Sequence, residues 1–161
     1  MTRGGYYSLY IILAACAAAP PRLGAPLRAQ LRPLLGDWRC VGKDGVPARW
    51  TFAPDLGGAF VSVRYAQQGP EPLQLAGHLG WDEDAGRLTA GFAASDGTTE
   101  TGSAGDWDGD ELVFFSTLRA GDARLQLRRI FQTTSHGFDW RLEVQQDKAW
   151  LPLSEASCQP N

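Results

Sequence analysis

The chain has 161 residues, of which 43% are hydrophobic and 20% are charged, and its formal net charge is −3. This length suits one domain with its own core, and this composition is typical of globular rather than disordered proteins. No basic stripe is present, so no nucleic-acid partner is expected. The 19 glycines and 10 prolines are spread along the chain and predict many turns.

The N-terminus has the pattern of an export signal. Arg3 precedes an apolar stretch over residues 6–15, which is as long as a signal-peptide core and too short to span a bilayer as a helix. Leu13-Ala14-Ala15-Cys16 resembles the bacterial lipobox, whose cysteine is alkylated with diacylglycerol and becomes residue one after cleavage. Several acyl chains on one residue anchor a protein stably. We therefore predict a signal peptide over 1–15, lipidation of Cys16 and a location on the periplasmic side of a bacterial membrane. Plain secretion, or a buried element of the fold, is the alternative.

The three cysteines support this interpretation, because an odd number in an exported protein leaves one to explain. Lipidation of Cys16 accounts for the odd one, and Cys40 and Cys158 can then pair in an oxidising compartment. These two lie near the first and last strands, which are neighbours in a closed barrel. The alternative is two unrelated buried thiols. Neither His78 nor His136 has zinc-ligand spacing to a cysteine, so no metal and no cofactor are expected.

The rest of the chain is predicted to be a tether over 16–29 followed by one domain over 30–161. Leucines at helical spacing predict a short helix over 26–35, which Pro33 shortens and Gly36 ends, and which is able to plug one end of a barrel. After it we predict ten strands, over 37–42, 48–53, 59–66, 73–82, 87–95, 98–107, 111–118, 123–133, 138–146 and 149–158.

Tight turns separate these strands. Asp96-Gly97 and Asp108-Gly109 stand between alternating apolar and polar runs, which is a strong hairpin signal. Ten short strands joined by such turns form a meander, and a meander of this size avoids open edges by closing on itself. The predicted fold is therefore an all-β, ten-stranded antiparallel barrel with a short N-terminal helix.

Motifs along the chain resemble a known family. Leu34-Leu35-Gly36-Asp37-Trp38 resembles the Leu-x-Gly-x-Trp opening of calycins, the lipocalin and fatty-acid-binding-protein group. Over about residues 30–158 the order and spacing of later motifs resemble the uncharacterised bacterial DUF1579 family. This resemblance implies a lipocalin-like barrel and supplies no reaction or ligand. The later motifs are Gly57-Gly58-Ala59-Phe60-Val61, Gly77-His78-Leu79-Gly80-Trp81-Asp82, Ser95-Asp96-Gly97, the segment 105–112, Arg128-Arg129-Ile130-Phe131 and Asp147-Lys148-Ala149-Trp150.

Two tryptophans have different expected roles. In barrels with the opening motif, the tryptophan packs at the closed end against an arginine from a late strand. Trp38 is therefore expected to contact Arg129 or Arg141 through a cation–π interaction. Trp81 alternates with leucines on its strand and is a candidate ligand contact, although such residues more often serve packing.

Arg129 is the most informative charge in the sequence, because it shares a strand face with apolar residues that include Phe131. A buried charge needs a partner. That partner is either Glu143 on the next strand or the head group of an acidic ligand. Arg129 and Phe131 therefore join Trp81 as candidate ligand contacts.

No catalytic pattern is present. The sequence has no Ser-His-Asp order, nucleotide-binding glycine loop or P-loop, and its Asp-rich turns do not match an EF-hand. We predict a non-enzymatic, exported, lipid-anchored barrel that binds a small hydrophobic or amphipathic ligand. The alternative is a cell-envelope interaction or structural protein whose barrel is filled and which acts through its outer surface. Whether the interior is open or filled distinguishes the two.

Overall fold

The computed structural model describes residues 24–161, which form one closed barrel of ten antiparallel strands with a short helix at one end. Each strand pairs with the next along the chain, and the last pairs with the first, so the predicted fold is confirmed. The predicted signal peptide over 1–15 and lipid site at Cys16 lie outside the described residues. The elements are α1 (Ala25–Leu31), β1 (Gly36–Gly42), β2 (Pro47–Asp55), η1 (Leu56–Gly58), β3 (Phe60–Gln67), β4 (Leu73–Asp82), β5 (Arg87–Ala94), β6 (Thr99–Ala104), β7 (Glu111–Ala120), β8 (Ala123–Thr134), β9 (Gly137–Gln146) and β10 (Ala149–Pro160).

The barrel closes between β1 and β10, where Cys40 and Cys158 lie opposite each other and form a disulfide. Their Cα atoms are 4.1 Å apart, and 118 residues separate them in sequence. The structure thus contains the predicted disulfide. Cross-linking so long a loop restricts the unfolded chain, and the chain-entropy model gives a stabilisation of about 4–5 kcal/mol.

The helix α1 covers one end of the barrel, which we call the closed end. Leu27, Leu31 and Leu34 are buried and belong to the same core cluster as the strand residues. The helix ends at Leu31, earlier than predicted, because Pro33 has no N–H to continue the hydrogen-bond ladder. Leu27, which falls within the predicted tether over 16–29, thus lies in the core.

Trp38 joins the helical segment to the barrel wall. Its Nε1 donates to the carbonyl of Leu34 at 2.8 Å, and its ring meets Phe138 edge-on with centroids 4.9 Å apart. The predicted cation–π contact with Arg129 or Arg141 is wrong. Both arginines pair with glutamates instead, the first inside the barrel and the second outside it.

Trp107 attaches the closed end from the other side. Its Nε1 donates to the carbonyl of Gln30 in α1 at 2.6 Å. The strand β6 ends at Ala104, three residues before the predicted boundary, and the chain then bends so that Trp107 reaches the helix. Trp107, which the sequence pattern placed in a strand, is therefore part of the closed end.

The barrel interior is filled by aromatic rings. Trp50 stands at the centre, with ring centroids 4.6 Å from Tyr65, 5.5 Å from Phe52, 5.7 Å from Trp140 and 5.9 Å from Phe131. All five residues are buried. Side chains packed at this density leave no room for a ligand between the middle of the barrel and the closed end.

The opposite end, which we call the open end, is formed by hairpins. The wall is uneven there, because β8 and β10 have 12 residues each whereas β1 has 7 and β6 has 6. The hairpin β9–β10 therefore extends past β1, whose last pair with β10 is Gly42 with Ala156, and the first four residues of β8 lie beyond its pair with β9 at Leu127 and Val144. This overhang exposes inward-facing side chains that shorter strands would bury.

Candidate ligand site at the open end of the barrel

β8 carries two consecutive arginines whose side chains point to opposite faces of the wall, as alternation along a strand requires. Arg129 points inward, and its Nη2 donates to Glu100 Oε2 at 2.8 Å. These two side chains are 5% and 4% exposed. Arg128 points outward and pairs with Glu143. The prediction that named Glu143 as a partner of Arg129 is therefore wrong by one position.

The carboxylate of Glu100 is fully engaged. One oxygen accepts from Arg129, and the other accepts from the hydroxyl of Ser116 at 2.7 Å. Both glutamate and serine are buried. A buried ion pair with satisfied lone pairs is the arrangement that makes such a charge tolerable.

Three aromatic rings surround the guanidinium of Arg129. Its Cζ lies 5.6 Å from the ring centroid of Phe92, 5.7 Å from that of Trp50 and 5.8 Å from that of Trp140, which are cation–π distances. Gly77 makes room for one of these rings, since a Cβ there would lie 2.4 Å from an atom of the Phe92 ring. The absence of a side chain at Gly77 thus allows the rings of Phe92, Trp50 and Trp140 to surround Arg129. We call these four residues the cage.

Three N–H groups in this cage have no acceptor within residues 24–161. They are Nε of Arg129, Nε1 of Trp50 and Nε1 of Trp140. The three residues are 4%, 1% and 3% exposed. A buried donor without an acceptor costs about 1–3 kcal/mol, and native structures pair almost all such groups. The cage can therefore receive hydrogen-bond acceptors from outside the chain.

A depression at the open end leads toward the cage, and we call it the mouth depression. Its volume is about 210 Å³. Trp140 lines it and also belongs to the cage, whereas Arg129, Trp50 and Phe92 are not in its lining. The lining includes Asp44, Ala48, Tyr65, Gln67, Trp140 and Ala156.

Tyr65 forms one wall between the mouth depression and the cage. Its hydroxyl donates to Gln67 Oε1 at 2.9 Å, and its ring lies against Trp50 and Trp140. Burial raises the pKa of Tyr65 to about 12, against an opposing effect of the Arg129 charge. The phenol is therefore neutral at physiological pH.

The overhanging hairpins add an apolar surface at the open end, which we call the apolar shelf. It consists of Leu118, Leu125, Val144 and Leu151. Leu118 lies opposite Leu125, and Val144 lies opposite Leu151, on the inward-facing side of the wall. Leu125 and Leu151 are 42% and 43% exposed. The open end thus combines a polar depression with an apolar surface.

The three predicted ligand contacts do not meet at one point. Arg129 is part of the cage. Phe131 lies deeper on the same strand, where its ring packs against Phe52 and Phe138. Trp81 is half-buried near the closed end of β4 and packs against the core, so neither of these two aromatic residues borders the mouth depression.

Sequence reasoning missed Glu100, Trp50 and Tyr65. Glu100 stands between two threonines, so a charge alternating with polar neighbours looked like the solvent side of a strand. Trp50 and Tyr65 each follow an arginine, and the sequence analysis assigned neither of them a role, although they lie opposite each other on β2 and β3. Their contact depends on how the wall curves.

The remaining polar candidates are on the surface. His78 is exposed, and its Nε2 lies 3.2 Å from Asp55 Oδ2. His136 is exposed in the β8–β9 turn. Across residues 24–161, histidine, cysteine and acidic side chains form no group of three suited to a metal ion.

Two grooves lie on the outer face of the wall, on either side of the β1–β10 seam. One measures about 520 Å³ and is bordered by Ile130, Arg141 and Glu155. The other measures about 540 Å³ and is bordered by Arg39, Pro47 and Arg49. Both mix charged and apolar side chains, and the first is also bordered by Trp140, whose Nε1 has no acceptor in residues 24–161.

These features define the class of the protein as a closed, helix-capped ten-stranded antiparallel barrel with a shallow site at its open end. Comparison with protein-family models and with curated proteins finds no match to the chain. The resemblance to the DUF1579 family therefore stays a prediction. In the described part of the chain no helix combines the length and the apolar character needed to cross a bilayer.

Proposed function

We propose that this protein is an exported, lipid-anchored binding protein that holds a small amphipathic molecule at the open end of its barrel and carries out no reaction on it. The observation that carries this proposal is the set of three buried, unpartnered N–H groups in the cage, of which one belongs to Trp140 in the lining of the mouth depression. Core packing alone gives no reason to bury donors without acceptors, whereas a polar head group would supply the acceptors.

The size of the site limits which ligands it can bind. Drug-sized ligands usually occupy pockets of about 300–1,000 Å³, and the mouth depression, at about 210 Å³, is smaller. The filled interior excludes a ligand that runs down the barrel axis. The site therefore fits one head group, with an alkyl chain lying on the apolar shelf formed by Leu118, Leu125, Val144 and Leu151.

The export half of the proposal is supported by the disulfide between Cys40 and Cys158, since such bonds persist in oxidising compartments. The N–H of Gly24 donates to the carbonyl of Gly58 near the closed end. A tether from Cys16 would therefore join the barrel at its closed end and leave the open end facing away from the membrane. Replacing Cys16 by Ser should move the protein to the soluble fraction, and unchanged membrane fractionation would contradict the anchor.

Binding is tested by titrating the protein with 1-monolaurin and with laurate, below their critical micelle concentrations, and following tryptophan fluorescence. The ring of Trp140 borders the site, so occupancy should change the emission. Ala48→Leu fills the mouth depression and should abolish binding. Ala93→Leu places the same side chain on an exposed outward position and should leave it unchanged. No response to either probe in the wild-type protein would contradict the proposal.

The second candidate function, interaction through the outer surface, is favoured by the filled interior and by the two outer grooves. It predicts no binding of either probe. It also predicts that a charge reversal such as Arg141→Glu in an outer groove abolishes the function in the host.

A further inference from the structure

We infer that the site at the open end selects a neutral head group rich in hydrogen-bond acceptors, such as a hydroxyl, ester or amide, and rejects carboxylates and phosphates. This inference rests on the proposed binding function and names the ligand class. It also reverses the expectation from sequence, where an inward arginine suggested an acidic head group.

The first step is the charge of the cage. The guanidinium of Arg129 is paired at 2.8 Å with a carboxylate that is itself 4% exposed, so the two formal charges cancel inside the barrel. An acidic ligand would bring a second negative charge close to Glu100 in a poorly hydrated interior. Like charges at short range in such surroundings repel strongly, and a buried charge without its own counterion is disfavoured.

The second step is the chemistry of the free groups. Nε of an arginine and Nε1 of a tryptophan are donors only. The three unpartnered groups of Arg129, Trp50 and Trp140 therefore require acceptors and cannot satisfy a ligand that only donates. Because Glu100 balances the charge of Arg129, the acceptors that match these three donors are neutral oxygen atoms.

The third step is the rim. Asp44 and Glu155 line the mouth depression, and Lys43, which is not in its lining, pairs with Glu155. Tyr65 adds a neutral hydroxyl rather than a charge. An approaching anion thus meets the carboxylate of Asp44, whose charge no lysine or arginine in the lining balances, and a neutral molecule is not repelled by it.

The test compares 1-monolaurin, a neutral ester, with laurate, an acid of the same chain length, at about pH 8, where the acid is ionised. The wild-type protein should bind 1-monolaurin at least about tenfold more tightly, which corresponds to about 1.4 kcal/mol. Equal or tighter binding of laurate would overturn the inference while leaving the binding function intact. Absence of binding by both probes would overturn the function and the inference together.

A variant tests the cause of the selection. Glu100→Gln removes the negative charge and leaves Arg129 free to attract an anion, so the preference should shift toward laurate by roughly tenfold or more. Glu143→Gln, which removes the same group from the outer pair, should leave the preference unchanged. The wild-type comparison decides the inference even if the first variant does not fold. A folded Glu100→Gln protein with an unchanged preference would show that Glu100 does not set the selectivity.

Discussion

Two neighbouring arginines on β8 allow a comparison between an ion pair inside the barrel and one on its outer face. Arg129 and Arg128 each pair with a glutamate and each lie over a tryptophan ring, but the first pair is enclosed in the barrel and the second lies on its outer face. The side chains of the inner pair are at most 5% exposed, while in the outer pair Arg128 is 31% exposed and Glu143 is 9% exposed. Identical chemistry in two environments therefore separates the effect of burial from the effect of the residues.

The difference indicates that the inner pair fixes the position of Arg129 more than it raises the free energy of unfolding. Burying two charges costs several kcal/mol, which their attraction only partly offsets, so such a pair contributes little to stability as a whole. It nevertheless fixes the position of Arg129 and leaves its Nε free. In the outer pair Arg128 keeps its contact with water, whereas Glu143 is largely buried.

The largest effect is expected when one partner of the inner pair is removed. Glu100→Gln leaves the charge of Arg129 buried without a counterion and should lower the free energy of unfolding by about 3–5 kcal/mol. Glu143→Gln should cost about 1–2 kcal/mol, because Arg128 can turn to solvent. Urea unfolding of both variants measures the difference. Equal losses would mean that burial does not distinguish the pairs.

The dependence of stability on alkaline pH should measure how strongly burial disfavours ionisation of Tyr65. Burial raises the pKa of Tyr65 to about 12, whereas an unfolded tyrosine titrates near 10. Stability should therefore be independent of this group below about pH 10 and should fall by up to about 3 kcal/mol between about pH 10 and pH 12, because only the unfolded state loses the proton there. Tyr65→Phe should lack this fall. Superimposable stability curves of the two proteins in that range would contradict the expected shift.

Replacing both partners by apolar residues should cost far less than removing one. Glu100→Met combined with Arg129→Met should bring the free energy of unfolding to within about 1–2 kcal/mol of the wild type, on either side, because no charge remains to be desolvated. The same double variant should no longer bind 1-monolaurin tightly, since one of the three donors is lost. A double variant as unstable as Glu100→Gln would indicate that the ion pair is needed for folding.

Salt should produce the smallest effect and should act on the outer pair alone. Double-mutant cycles for Arg128 with Glu143 should give a coupling energy that falls by a few tenths of a kcal/mol between about 0.1 M and 1 M NaCl, because ions screen exposed charges. The coupling of Arg129 with Glu100 should change less, since no ions enter the interior. A larger salt effect on the inner pair would show that its surroundings are open to solvent.

Sequence patterns predicted most of the wall and only part of the site. Alternation located all ten strands and placed Arg129 on the inward face, because the two-residue period of a strand is a local property. The same rule could not identify its partner. Glu143 was adjacent in the meander, yet one residue of register assigned it to Arg128 on the other face.

The sequence by itself determined the closed antiparallel barrel and the approximate strand bounds, and it favoured the pairing of Cys40 with Cys158, which the structure contains. Short strands and tight turns limit the possible folds strongly, and an odd cysteine count limits the possible disulfides. Only the tertiary structure decided that the interior is filled, that Arg129 pairs with Glu100, and that three donors stay unpartnered beneath the open end. The physical reason is that these contacts join side chains from β2, β5, β6, β8 and β9. Their distances depend on the curvature of the closed wall and on the volumes of the rings inside it, which no local pattern records.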